Sequence, residues 1–112
     1  MAKYETSFRG NFFNALHTIE EGILNGSMSA SLEDSSDFLG STSRCSVRVF
    51  ERYSYMGGNR VSLAVTLFEE DGDIRLSAIT SGGSQAVFFK VNTWGEEAFL
   101  DKLKEIVDTF ER

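Results

Sequence analysis

The chain predicts an α+β domain, with two helices packed on one face of a mostly antiparallel sheet of five or six strands. Three observations lead there. Apolar residues recur every three or four positions in one stretch near each end; the runs between them alternate apolar and polar; and glycine-marked turns separate those runs. The expected order is β-α-β-β-β-β-(β)-α. With 112 residues there is room for one core and one domain, 1–112.

Tyr4 to Phe8 alternates large and polar residues and predicts the first strand. Gly10 and Asn11 then supply a turn and an N-cap. Phe12, Leu16, Ile19 and Ile23 fall on one helical face, which Phe13 and Leu24 widen, and Asn25-Gly26 is the expected helix stop. Met28, Ala30 and Leu32 alternate with serines as a second strand. The polar, acidic segment from Glu33 to Ser43 is expected to be a loop.

A long third strand follows, with Cys45, Val47 and Val49 expected on one face and Arg44, Ser46, Arg48, Phe50 and Arg52 on the other. Gly57-Gly58-Asn59 turns into a fourth strand that buries Val61, Leu63, Val65 and Leu67. Asp71-Gly72 is the strongest hairpin signal in the chain, and Ile74, Leu76 and Ala78 mark the fifth strand. Ser81-Gly82-Gly83-Ser84 is an expected turn and 86–91 a candidate sixth, edge strand. Thr93 and Glu96 fit a capping box. Behind them Phe99, Leu103, Ile106 and Phe110, joined by Leu100 and Val107, form the apolar face of the last helix.

Composition is that of a packed globular protein: 41% hydrophobic, 12% aromatic, with ten phenylalanines and no proline. The formal net charge of −6 opposes generic attraction to nucleic acid or anionic membrane. No apolar run approaches the roughly 20 residues of a membrane helix, and residues 1–5 lack the apolar core of a secretory signal. The single cysteine, Cys45, cannot form an internal disulfide. These features lead to an expectation of a cytoplasmic protein that does not bind membrane, with nucleic acid ranked last among its partners.

Strand parity gives a first view of the surface. If odd positions of the third and fourth strands and even positions of the fifth face the helices, a three-residue loop pairs Met56 with Arg60 and a two-residue turn pairs Glu70 with Asp73. Phe68 then lies between Arg48 and Arg75, Ala64 between Arg52 and Ile79, and Thr66 between Phe50 and Ser77. The face away from the helices would carry Arg48, Phe50, Arg52, Phe68, Arg75 and Ile79, with hardly an acid. Arginine and aromatic residues together are characteristic of interface cores. Such a face is open to two main readings, a solvated surface whose arginine stems lie along their neighbours or a contact surface for self-association or a protein partner, with an anionic ligand as the remaining one.

No catalytic, metal or cofactor constellation is present. His17, followed by Glu20 and Glu21, is a helix-flank histidine without further ligands, and mid-strand Cys45 has no histidine partner in sequence. Asp34/Asp37 and Asp71/Asp73 lack the oxygen count of a calcium loop. Ser81 to Ser84 lacks the lysine and the directly following helix of a phosphate loop. Trp94 is expected as a packing anchor.

Strand, helix, a run of strands and a long last helix resemble the TATA-binding-protein-like, or helix-grip, arrangement, in which helices lie against one face of a curved sheet. The segments Ile23-Leu24-Asn25-Gly26-Ser27, Leu32-Glu33-Asp34-Ser35-Ser36-Asp37-Phe38, Val49-Phe50-Glu51-Arg52-Tyr53, Gly57-Gly58-Asn59-Arg60-Val61-Ser62 and Ala78 through Leu100 are similar to a family of small bacterial proteins known as a domain of unknown function. The resemblance covers nearly the whole chain. It implies a bacterial cytosolic protein and brings no activity or site residues with it. The expectation is therefore a non-enzymatic binding or assembly module, homodimeric through the outward sheet face. The alternative is a small-ligand-binding or enzymatic domain with a pocket between helices and sheet.

Overall fold

The computed structural model describes residues 1–54, 59–82 and 89–110. The elements are β1 (Ala2–Arg9), α1 (Phe12–Gly26), β2 (Ser31–Leu39), β3 (Ser43–Ser54), β4 (Asn59–Glu70), β5 (Asp73–Gly82) and α2 (Phe89–Val107). One open sheet of five antiparallel strands runs in the order β1-β5-β4-β3-β2, so the first strand closes against the last. Both helices lie on the same face, and the expected α+β class holds.

The Asn11 side chain caps α1 by accepting from the Asn14 amide at 2.9 Å. Phe12, Leu16, Ile19 and Ile23 are buried, as their spacing requires. Phe13 and Leu24 lie outside that stripe and are exposed. The helix ends by passing into extended Ser27, not through a left-handed glycine cap. Gly22 marks the close approach of the helices, since a Cβ there would stand 2.5 Å from Ile106 Cδ1. In α2, Phe99, Leu100, Leu103 and Val107 are buried, while Ile106 and Phe110 pack against the core at its margin.

Val61, Leu63, Val65 and Leu67 of β4 are all buried, as are Ile74, Leu76 and Ala78 of β5. Asp71 (φ 52°) and Gly72 (φ 86°) form the tight turn, both with the positive φ that a two-residue hairpin of this hand demands, and Glu70 pairs with Asp73.

Four expectations are corrected. The second strand is Ser31–Leu39, where a loop was expected, and Met28 is fully exposed. It is an edge strand with little cover on either face, so its backbone pairing with β3 defines it and apolar alternation does not. Its register shifts at Glu33, a bulge between Leu32 and Asp34.

The β3–β4 hairpin pairs Ser54 with Asn59, which places four residues between the strands where three were expected; those four lie outside the described residues. Every side chain of β3 is thereby reversed relative to the expected parity. Ser46, Arg48 and Phe50 face the helices and are buried, while Cys45, Val47 and Val49 face away.

The last helix begins at Phe89, so the Thr93–Glu96 box falls inside it. Glu96, almost fully buried, accepts instead from the Gly82 amide at 2.7 Å and forms an ion pair with the Met1 amino group at 2.5 Å, tying α2 to β5 and β1. Of the proposed sixth strand, residues 89–91 are helical and 86–88 lie outside the described residues. Ser84 and the side chain of Trp94 lie outside them as well.

Candidate functional site

The six residues expected on the outward face divide evenly between the two sides of the sheet. Phe68, Arg75 and Ile79 do face away from the helices. Arg48, Phe50 and Arg52 face them, because the observed register pairs them with buried Val65, Leu63 and Val61.

On the helix side the arginines are accommodated individually. Arg48 donates from Nε to Glu20 Oε2 at 2.6 Å and lies 3.0 Å from Asp37 Oδ1, with further bonds from Nη1 to the carbonyls of Val47 and Ser36. Burial works against its charge, but the two carboxylates more than offset this and hold its pKa above the ordinary arginine value. Asp37 also accepts from the Ser46 hydroxyl at 2.6 Å. That bond, and then those with Arg48, holds its carboxyl below the usual range.

Arg52 takes a different course. Its guanidinium lies 4.6 Å from the Phe99 ring centroid, and burial lowers its pKa. Arg44 stacks over Phe13 at 5.0 Å and reaches Glu69 at 3.1 Å. Phe50 is completely buried. These are packing and tethering roles, and β2 is fastened to α1 through the Glu20–Arg48–Asp37 chain.

Among the described residues the opposite face of the sheet carries no helix. One transverse row reads Ser7, Arg75, Phe68, Cys45, Phe38; the next Glu5, Ser77, Thr66, Val47, Ser36; the next Lys3, Ile79, Ala64, Val49, Asp34. Apart from Arg75, the middle of the face is therefore apolar or small. Phe38 is 64% exposed, Ile79 40% and Phe68 38%, and together with half-buried Cys45, Val47 and Val49 they make a contiguous apolar surface rather than isolated exposed residues. A shallow depression of about 530 Å³ lies beside it, lined by Phe68, Arg75, Thr66 and Ser77 among others.

Sequence reasoning missed Phe38, Val47 and Val49 as members of this face. The signal for Phe38 was the alternation Asp34, Ser36, Phe38 inside a stretch read as loop.

Chemistry is sparse elsewhere. His17 is exposed, 3.9 Å from Glu21. Among the described residues no group of three or more His, Cys, Asp or Glu is placed to hold a metal ion. A cleft between the end of β1 and α1, bounded by Phe8, Asn11, Asn14 and Phe110, has a volume of about 250 Å³, and a more open one of about 510 Å³ lies between the helices, beside Gly22 and Ile106. Among the described residues no helix is long and apolar enough to cross a membrane.

By its fold the chain is an antiparallel sheet backed by two helices, with one face left uncovered by the described residues. A model described as "Family of unknown function (DUF6054)" matches residues 1–111, and the chain belongs to that family. No curated protein matches it.

Proposed function

We propose that this protein is a non-enzymatic assembly module that forms a homodimer through its outward sheet face. The observation that carries the proposal is the uncovered apolar field of Phe38, Cys45, Val47, Val49, Phe68 and Ile79 on a domain whose other sheet face is occupied by helices. Five strands spaced about 4.8 Å apart, over about eight residues of about 3.4 Å each, present roughly 600 Å² per copy. Two copies would bury about 1,200 Å², the lower bound for a specific interface. Sheet-on-sheet packing is an established way to cover such faces. The free thiol of Cys45 within the patch favours a reducing compartment, in keeping with a cytoplasmic protein.

Light scattering on purified protein tests the proposal. The wild type should show the dimer mass at micromolar concentration. Phe68→Glu, which sets a charge at the centre of the face, should be a monomer with an unchanged circular dichroism spectrum. A wild type that remains monomeric at every concentration rejects self-association.

A further inference from the structure

The charges around the apolar field are distributed unequally between the two edges of the sheet. On the outward side, β1 and β5 contribute Lys3, Arg9 and Arg75 against Glu5 and Asp73, and Arg9 is engaged with Asp73. The other half contributes Asp34 from β2 and Glu51 from β3, with Glu33 in the bulge and Glu51 engaged with Arg60 at 2.9 Å. Lys3 and Asp34 occupy the two ends of a single transverse row: Lys3 pairs with Ile79, Ile79 with Ala64, Ala64 with Val49, and Val49 with Asp34. Among the described residues neither Lys3 nor Asp34 has an ion-pair partner. Asp34 accepts the amide of Ser35, at 2.8 Å.

Building on the dimer proposed above, we infer that the second copy is related by a two-fold axis running along β4, so that the β1 edge of each copy covers the β2 edge of the other. A rotation about an axis parallel to the strands keeps each transverse row opposite itself while exchanging left and right. Lys3 then lies over Asp34 of the second copy, and Asp34 over its Lys3. Ile79 lies over Val49, Phe68 meets Phe68 at the axis, and Arg75 reaches the Cys45–Phe38 end of the row. The alternative axis, across the strands, stacks β1 on β1 and β2 on β2. Centred on the middle row, it sets Glu5 against its own copy, Lys3 over Ser7 and Asp34 over Phe38. That arrangement leaves both the lysine and the aspartate without an opposite charge, which disfavours it; like charges meet under either axis, Glu5 here and Arg60 and Glu70 at the ends of β4 under the other. The strand-parallel axis also accommodates the mutual inclination of about 30° that twisted sheets adopt when stacked.

Charge exchange tests the axis. At low salt, Lys3→Glu and Asp34→Lys should each raise the dimer dissociation constant roughly three- to tenfold, as expected for rim ion pairs turned repulsive. The double variant should return to within about twofold of wild type. An equimolar mixture of the two single variants should form the heterodimer in preference to either homodimer. In that heterodimer the introduced acid at position 3 of one chain faces the introduced base at position 34 of the other, while the remaining Asp34 faces the remaining Lys3. Sedimentation equilibrium reads the constants, and native mass spectrometry reads the mixture. A double variant as weak as the product of the singles, a purely statistical mixture, or singles indistinguishable from wild type would overturn the strand-parallel axis while leaving the dimer standing. A wild type that never dimerises removes the dimer itself, and the axis with it.

Discussion

Arg48 of β3 and Glu20 of α1 meet at 2.6 Å, in a bond that joins the sheet to the helix layer beside the edge strand. Their side chains are 10% and 26% exposed, so the contact is made largely out of water. In that setting removing one partner strands the other charge.

Arg48→Ala should therefore cost about 2–3 kcal/mol in urea denaturation, less than the roughly 3–5 kcal/mol of a fully buried pair because Glu20 and Asp37 keep some access to water. Glu20→Gln should cost less, since Asp37 remains to neutralise Arg48. A double-mutant cycle between Arg48 and Glu20 should return a coupling energy of about 1 kcal/mol or more; a value near zero would show that the contact contributes nothing.

Asp37 sets a pH dependence. Its carboxyl has a folded-state pKa below the ordinary 3.8, from the Ser46 hydroxyl bond and then from Arg48. A group depressed in the folded state stabilises fully above its unfolded pKa and loses that contribution as pH falls through the folded value. The difference in denaturation midpoint between wild type and Asp37→Asn should thus be constant from neutrality to about pH 5 and close below about pH 4. A difference that instead widened on acidification would contradict the assignment.

The reversed parity of β3 yields a direct comparison of neighbours. Phe50→Ala should destabilise by about 3–5 kcal/mol, the usual cost of emptying a buried aromatic site. Val49→Ala, on the uncovered face, should cost less than about 1 kcal/mol in the monomer. If the two costs were exchanged, the register pairing Phe50 with Leu63 would be wrong.

The fold was legible wherever local chemistry and burial agree. Asp71-Gly72 determined both the turn and the pairing of Glu70 with Asp73, and the even residues of β5 followed into the core. In α1 the 3.6-residue period located Phe12, Leu16, Ile19 and Ile23. Parity failed in β3 because both of its faces carry apolar residues: Val47 and Val49 suggest an inward face, whereas Phe50 occupies it and the arginines beside it are neutralised by Glu20 and Asp37 or cover aromatic rings. Nothing local to β3 announces a partner 28 positions away in the chain. Edge strand β2 was illegible for another reason, since with little burial on either face no pattern of hydrophobicity marks it. Phe68, Arg75 and Ile79 point away from the helices as expected, and they are the positions whose parity rested on the Asp71-Gly72 turn.

Closing β1 against β5 also governs how the polypeptide matures. Ala2 must find Thr80, and Arg9 must find Asp73. At a synthesis rate of roughly 5–20 residues per second, the N-terminal strand emerges and waits for seconds without a neighbour. Throughout that interval its open backbone edge is available to other nascent chains. Assembly is therefore committed only when the last strand arrives, and anything that slows translation late in the message lengthens the period in which this sheet can be completed by the wrong molecule.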